Sequence, residues 1–283
     1  MAFDPDRLRN WNFGEQQQAY GSRDAILYAL GVGLPFSAGE SSDLDFLVED
    51  RLRVLPSFAV TLATPGMWPK IPELEIDWVK ILHMAHAARF ERPLPADAEV
   101  RSSARIYEIY DRGADKGAVC ILQRQVEDAK DGTVYCTIDQ TVAMRGNGGF
   151  GGEPMPKIQR TEMPARAPDH VERVQTSPRA ALIYRLSGDR NPLHADYDVA
   201  RKAGYNRPIL HGLASYGTVC AIVLRAFCDG DPARMKSLDL RFTGVVMPGD
   251  ALDFSCWKDG DRILFEAKVG DRTVLDQGVA QIA

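Results

Sequence analysis

The sequence predicts an α+β protein made of two halves, each with one long central helix packed against an antiparallel sheet. Three observations support this prediction. The segment RGNGGFGGEPMPKIQ at 145–159 interrupts any regular element close to the midpoint of the chain. Runs of β-prone residues separated by short turns lie on both sides of it. An apolar stretch at 208–228 has the length and the all-round apolar character of a buried helix.

Length and composition agree with this division. The chain has 283 residues, of which 45% are hydrophobic, and this is enough for two domains of ordinary size. A boundary near residue 155 gives an N-terminal unit of residues 1–155 and a C-terminal unit of residues 156–283. The formal net charge of -5 creates no global basic field, so we expect no nucleic-acid partner.

Membrane and export signals are not predicted. No window approaches the roughly 18 to 20 apolar residues that cross a bilayer, and the first residues lack the apolar core of a signal peptide. The five cysteines are scattered without a CxxC pair, which is typical of reduced, buried thiols. The chain ends GVAQIA and not in a peroxisomal address of the SKL type. We therefore expect a cytoplasmic protein without a membrane partner.

The first half is predicted to contain a short helix and several strands. DAILYALGVG at 24–33 indicates a helix that ends at glycine, and LPSFAVTLA at 55–63 indicates a strand that follows a turn. An apolar segment at 76–90 stops at ERPLP. Three β-rich runs then form an antiparallel meander with DRG and KDG turns, at 99–113, 117–132 and 133–144.

The second half is predicted to contain the long helix, which begins at Pro208 and ends at Cys228. Four strands follow it, and PGD, KDGD and GDR turns join them. They lie at 237–247, 250–260, 261–271 and 272–282.

The segment LSGDRNPLH at 186–194 holds the residues that point to chemistry. Pro192 restricts the backbone of a turn that carries Asp189, Asn191 and His194. A carboxylate and an imidazole held together suit general acid–base catalysis, and the amide of Asn191 can orient a water or a substrate group. The segment alone leaves a second interpretation open, in which Asp189 caps the turn and His194 bonds a backbone carbonyl.

The start of the long helix offers a third chemical group. His211 and Gly212 stand there, and a glycine at a helix N-terminus exposes backbone N–H groups to a developing negative charge. Close packing is the alternative reason for Gly212. An acid, an imidazole and an oxyanion donor together fit the addition of water to an α,β-unsaturated thioester.

Other catalytic motifs are missing from the sequence. It has no GxSxG nucleophile elbow, no GxxxxGK[ST] phosphate loop and no HExxH zinc helix. GNGGFGG lacks the strand before it and the helix after it that a dinucleotide-binding loop requires, so it is interpreted as a linker. Neither a metal ion nor a redox cofactor is expected.

The stretch YRLSGDRNPLHADYDVARKAGYNRPILHGL at 184–213 strongly resembles the signature of the MaoC-like hydratases, the (R)-specific 2-enoyl-CoA hydratases also called hydratase 2. Weaker matches in the same order resemble the two-part hydratase region of peroxisomal multifunctional enzyme type 2. They are YALGVG, LPSFAV, KILH, RPLP, GGFGG, and RF followed by PG. The resemblance covers most of the chain.

This resemblance implies a double hot-dog fold, in which two units each wrap an antiparallel sheet around a long helix. The C-terminal unit, 156–283, carries the active site. The N-terminal unit, 1–155, has no GDxNPxH motif and is expected to be non-catalytic and to accommodate the acyl chain.

The resemblance also implies roles for individual residues. Asp189 and His194 activate water, Asn191 supports them, and the backbone N–H of Gly212 binds the thioester carbonyl. The product is a (3R)-3-hydroxyacyl-CoA, and CoA enters only as part of the substrate. Glu49 matches a carboxylate interpreted as structural. The residues expected to bind substrate are His83, Met84 in place of a family glycine, Arg112 or Lys116 for CoA, Arg190, Pro192, Leu193 and Phe242.

Two other functions remain as alternatives. One is a hot-dog acyl-CoA thioesterase, although such enzymes do not usually carry the Asp189–His194 pair. The other is a catalytically silent acyl-CoA or acyl-carrier binding module, which the presence of both residues disfavours. Acyl chain length and branching stay open, and a homodimer is expected because hot-dog sheets commonly assemble.

Overall fold

Ten strands of the computed structural model, which describes residues 3–37, 41–157 and 159–283, form one antiparallel sheet. Their order is β1-β3-β4-β5-β2-β7-β10-β9-β8-β6. The strands are β1 Glu15–Tyr20, β2 Ile81–Phe90, β3 Ala98–Asp111, β4 Ala118–Asp128, β5 Val134–Met144, β6 His170–Gln175, β7 Met235–Phe242, β8 Ala251–Asp259, β9 Arg262–Val269 and β10 Arg272–Ile282. The α-helices are α1 Pro5–Arg9, α2 Ser22–Gly31, α3 Ala180–Tyr184, α4 Tyr197–Lys202 and α5 Gly212–Phe227.

The two halves meet where β2 pairs with β7. This ladder runs from the pair Ala85↔Arg241 to the pair Arg89↔Ser237. Each half contributes five strands, so the sheet is continuous across the boundary. The seven strands predicted in the two meanders are all present, as β3–β5 and β7–β10. The edge strands β1 and β6 were not predicted.

Helix α5 is the central helix of the C-terminal unit and is buried over most of its length. It begins four residues after the predicted start at Pro208. Leu210 donates its backbone N–H to Val246 O, so the residues before the helix are held extended against another segment. His211 is the extended residue immediately before the helix. Within the described part of the chain, no helix is long and apolar enough to cross a membrane.

Among the described residues of the N-terminal unit, no helix is as long as the one that was expected there. The predicted short helix is confirmed as α2, but the strand predicted at 55–63 is wrong, because a buried 3₁₀ helix, Pro56–Thr61, stands there. The buried guanidinium of Arg124 donates to Leu62 O at 2.8 Å and to Val60 O at 2.7 Å. These bonds supply the carbonyls with the hydrogen-bond donors that a neighbouring strand would otherwise provide. In place of a long helix, α2 and the 3₁₀ helix contribute to the core of this unit.

The glycine-rich segment after β5 is not a free linker throughout. The carboxylate of Asp111 accepts the backbone N–H of Gly149 at 2.8 Å and that of Gly151 at 2.7 Å. A side chain at Gly148 would lie 2.4 Å from Gly113 O, so glycine permits a close approach to the turn between β3 and β4. Residue 158, inside the predicted linker, lies outside the described residues.

Candidate active site

The LSGDRNPLH segment forms a compact turn in front of α4. Gly188 has a φ of +126°, a conformation that side chains rarely adopt, and it ends the preceding 3₁₀ helix. Asp189 Oδ1 accepts the backbone N–H of Asn191 at 3.1 Å, and Asn191 Oδ1 accepts that of Leu193 at 3.1 Å. None of the hydrogen bonds found among the described residues uses Asp189 Oδ2. The turn is thus fixed by one carboxylate oxygen and leaves the other for a ligand.

His194 is buried and held in one tautomer. Its Nδ1 lies 2.9 Å from the backbone oxygen of Ile209. A carbonyl oxygen only accepts hydrogen bonds, so Nδ1 carries the hydrogen and Nε2 keeps its lone pair. Burial lowers the pKa of His194, and the charge of Asp189 opposes this effect only in part. The carbonyl bond foreseen as a structural alternative is therefore present, and it prepares Nε2 to accept a proton.

His211 completes this cluster and was not among the predicted site residues. Its ring stacks on that of His194 with centroids 3.7 Å apart and an interplanar angle of 26°. Its Nε2 lies 3.1 Å from the backbone oxygen of Asp189. A carboxylate oxygen of Asp189, a ring nitrogen of His194 and a ring nitrogen of His211 all lie within 4.8 Å of one another. The histidine before Gly212 was visible in the sequence, but nothing local showed that its ring returns to the turn.

Gly212 and Phe242 form a second wall of the site. Gly212 is the first residue of α5, and the N–H groups of a first helical turn have no partner within the helix. A side-chain carbon at Gly212 would lie 3.0 Å from the Phe242 ring. Glycine therefore serves close packing here, and its role as an oxyanion donor stays a prediction.

The structure places His83 beside Phe242, with ring centroids 4.8 Å apart. Burial lowers the pKa of His83 to about 4, against a smaller opposing effect of Asp189. His83 Nε2 lies 3.3 Å from Nδ1 of His86, a buried histidine that the sequence did not single out. The two strand histidines thus adjoin the site from the N-terminal unit.

The other predicted substrate-binding residues show fewer direct contacts with the Asp189–His194 pair. Met84 falls at a register shift between the pairs His83↔Val142 and Ala85↔Thr141, which makes it the extra residue of a β-bulge. Pro192 and Leu193 are half-buried in the turn, and Arg190 is exposed on it. Arg112 and Lys116, between β3 and β4, are exposed and lie away from the turn, and so does the exposed Glu49. No hydrogen bond or ion pair found among the described residues joins these three to the Asp189–His194 pair.

Asp189, His194 and His211 are also the residues that would hold a metal ion at this site. Their arrangement fits an ion poorly. The imidazoles lie face to face, so their in-plane lone pairs run side by side instead of converging on one point. That the reaction needs no metal stays a prediction.

Four histidines with lowered pKa values, three of them buried and His83 half-buried, predict a loss of stability in mild acid. Burial lowers the pKa of His83, His86, His194 and His211, so the folded protein binds fewer protons than the unfolded chain below about pH 6.5. The destabilisation is absent above that pH and grows as the pH falls toward about 4. From urea unfolding curves, we expect the free energy of unfolding to fall by about 1 kcal/mol for each of His83 and His211 between pH 6.5 and 5.5, with a further fall in the same direction from His86 and His194.

The variant His86→Phe tests this origin because it removes one of the four groups and keeps a ring in the core. Its free energy of unfolding is expected to depend less steeply on pH than that of the wild type, whatever its absolute stability. An equal slope for both proteins would contradict the assignment to buried histidines.

Two family models match the chain. A model described as "MaoC like domain" matches residues 159–279, and one described as "MFE-2 hydratase 2 N-terminal domain" matches residues 18–146. The resemblance drawn from the motif is confirmed in both halves of the sequence.

Similar proteins extend over nearly the whole chain. It is 36% identical to Enoyl-CoA hydratase ChsH3 of Mycobacterium tuberculosis, with 92% of each chain covered. It is 34% identical to the peroxisomal Enoyl-CoA hydratase 2 of Arabidopsis thaliana, with 96% of this chain and 94% of that one covered. A MaoC-like dehydratase from Phytophthora capsici superposes with a TM-score of 0.85 at 29% identity, over 99% of both chains. These likenesses confirm the double hot-dog fold.

Proposed function

The chain belongs to the MaoC-like hydratases that carry an MFE-2 hydratase 2 N-terminal domain, and we infer from this that it is an (R)-specific enoyl-CoA hydratase. It adds water reversibly to a trans-2-enoyl-CoA and gives a (3R)-3-hydroxyacyl-CoA in fatty acid or related acyl-CoA metabolism. One observation carries the inference to this site: a carboxylate oxygen of Asp189 and a ring nitrogen of His194 lie within 4.8 Å of each other, and the Ile209 carbonyl leaves Nε2 of that ring unprotonated.

These two groups suit the activation of one water molecule. An ionised carboxylate and a neutral imidazole nitrogen both accept hydrogen bonds, so a water held between them donates both hydrogens and turns its lone pairs toward C3. As the C3–O bond forms, one proton passes to one of the two groups and is then delivered to C2. The water thus supplies both the hydroxyl and the hydrogen, and each group ends in its starting protonation state.

The thioester is assigned to the wall formed by Gly212 and Phe242. Addition at C3 moves an electron pair onto the thioester oxygen, and a backbone N–H of the first turn of α5 stabilises that charge. The helix dipole acts in the same direction, since the N-terminal end of a helix carries partial positive charge. Asn191 holds the turn through its bond to Leu193, which fixes where Asp189 and His194 point.

The first experiment is to follow the loss of enoyl-thioester absorbance with the purified protein. The substrates are trans-2-enoyl-CoAs from four to sixteen carbons, with branched members, and chiral analysis identifies the product. Formation of the (3R)-hydroxyacyl-CoA is the expected result. Release of free CoA without hydration would replace the proposal with a thioesterase, and binding without turnover would replace it with an acyl-CoA binding module.

The N-terminal unit, residues 1–155, is assigned to accommodating the acyl chain. Met84 lies in the β-bulge next to His83, and a bulge re-aims side chains beside active sites. Arg112 and Lys116 are proposed to meet the CoA phosphates, with Arg190, Pro192 and Leu193 near the thioester. This assignment is supported by the exposure of the basic residues and by the place of the three others in the turn.

Replacing Met84 with glycine is expected to widen the acyl range. Removing the side chain leaves space for a few methylene groups, each pocket methylene being worth about 1–3 kcal/mol in selectivity. We expect kcat/KM for twelve- to sixteen-carbon substrates to rise about tenfold relative to the four-carbon substrate. The matched control is Leu82→Gly on the same strand, whose side chain is exposed. An unchanged chain-length profile in Met84→Gly would dismiss this residue as a gate.

The proposal also includes the absence of a cofactor, a cytoplasmic location and a homodimer, and each of these has its own test. Dialysis against a chelator is expected to leave hydration unchanged. All five cysteines are free and buried, which supports a reducing compartment such as the cytoplasm, to be tested by cell fractionation. The exposed Val171 on edge strand β6 supports a homodimer, to be tested by light scattering.

A further inference from the structure

We propose that His211 is a positioning residue for hydration, one that anchors the Asp189 turn through Nε2–H and supports the His194 ring by stacking. The inference rests on the proposed function. His211 is 1% exposed, and it directly precedes Gly212, the residue assigned to the thioester wall. One side chain therefore contacts the acid turn and the imidazole, while its backbone leads into the helix N-terminus.

The hydrogen bond to Asp189 determines the state of the His211 ring. Because the backbone oxygen of Asp189 can only accept, Nε2 must carry the hydrogen. Nδ1 is buried and has no hydrogen-bond partner among the described residues, which suits a lone pair better than an N–H group. His211 is thus a neutral Nε2–H tautomer. His194 is the opposite tautomer, with its hydrogen on Nδ1.

The anchor acts on the reacting carboxylate from a second direction. Asn191 holds Asp189 Oδ1 through its backbone N–H, and His211 holds the backbone carbonyl of the same residue. With both ends of Asp189 fixed, Oδ2 keeps one direction toward the water. A displacement of about 1 Å in such a group costs on the order of a hundredfold in rate.

Stacking supports the other reacting group. The His211 ring covers one face of the His194 ring, with centroids 3.7 Å apart, and shields that face while Nε2 at the ring edge stays open to the reacting water. The Tyr184 ring lies 4.9 Å from His211. Asp189 and His211 are the titratable groups that face His194, and His194, Asp189, Arg185 and Tyr184 surround His211. Burial and the neighbouring His194 lower the pKa of His211, so it stays neutral beside His194.

Two variants separate the anchor from the stack. His211→Phe keeps a ring against His194 and removes the donor to Asp189, so we expect kcat to fall about 10- to 100-fold with KM nearly unchanged. His211→Gln can donate an amide N–H to the Asp189 carbonyl but has no ring. We expect its kcat to recover to within about fivefold of the wild type, while water reaching His194 moves the acid limb of the pH profile to higher pH.

The control is His170→Phe, because His170 lies beside Phe227 at the opposite end of α5. Wild-type kcat in His211→Phe overturns the proposal. An equal loss of kcat in His211→Phe and His211→Gln, with a raised KM in each, also overturns it, because that result indicates a purely structural role. Imidazole ¹⁵N shifts of the resting protein test the tautomer without turnover, and Nδ1 protonation of His211 also overturns it. If the wild type fails to hydrate any enoyl-CoA, that result rejects the proposed function, and the ¹⁵N shifts still decide the anchor.

Discussion

Replacing Asp189 with asparagine is expected to lower kcat for hydration by about 10²- to 10⁴-fold, the usual contribution of a general acid–base group. Asparagine has nearly the same shape, and its amide oxygen can still accept the backbone N–H that Asp189 Oδ1 accepts from Asn191. The turn therefore persists, and the variant loses only a group that takes up and returns a proton. We expect KM to change little, because the acyl and CoA contacts lie elsewhere.

Loss of enoyl-thioester absorbance measures this effect, and a urea unfolding curve shows whether the fold is intact. The matched control is Asp198→Asn, since Asp198 is an exposed carboxylate of α4 paired with Arg201. Near-wild-type turnover by Asp189→Asn, with normal stability, would show that the assignment of Asp189 is wrong.

That Asp189 and His194 lie close together was predictable because the arrangement is local. Asp189 and His194 stand five positions apart on a turn that contains glycine and proline, so short-range rules place them together. The strands β3–β5 and β7–β10 were predictable for a similar reason, since alternation and turn residues are properties of neighbouring positions.

The contacts that arrange the supporting groups were not predictable, because each depends on tertiary structure. The tautomer of His194 is set by the carbonyl of Ile209, and that of His211 by the carbonyl of Asp189, 22 positions away. His83 reaches Phe242 from the other half of the chain because β2 and β7 pair at the centre of one sheet. No sequence pattern within either half predicts that β2 pairs with β7.

The wrong strand at 55–63 has the same kind of cause. Its residues are apolar and β-prone, and a strand there would need neighbouring strands to satisfy its backbone. The structure supplies the donors from the side chain of Arg124 instead, 62 residues after Leu62. A buried arginine on a β-strand gives no local sign of which carbonyls it bonds.

Replacing His194 with glutamine is expected to lower kcat by a similar factor of about 10²- to 10⁴-fold and to change the pH profile of what remains. In the proposed mechanism the active form of His194 is neutral. Activity is therefore expected to rise with pH through the pKa of His194, and because burial lowers that pKa, the midpoint of the rise lies below the ordinary value of about 6.5. Glutamine fills a similar space without taking up a proton, so the acid limb that His194 causes should vanish from the residual activity.

Hydration rates between pH 4.5 and 8 test this prediction, with His170→Gln on β6 as the matched control. An acid limb retained unchanged in His194→Gln would assign it to another group, with Asp189 the first candidate because it shares the site. A limb lost together with kcat, at unchanged KM, would mean that the unprotonated Nε2 of His194 takes part in moving the proton. The tautomer that the Ile209 carbonyl fixes in His194 would then be the feature that gives this half-buried turn its hydration chemistry.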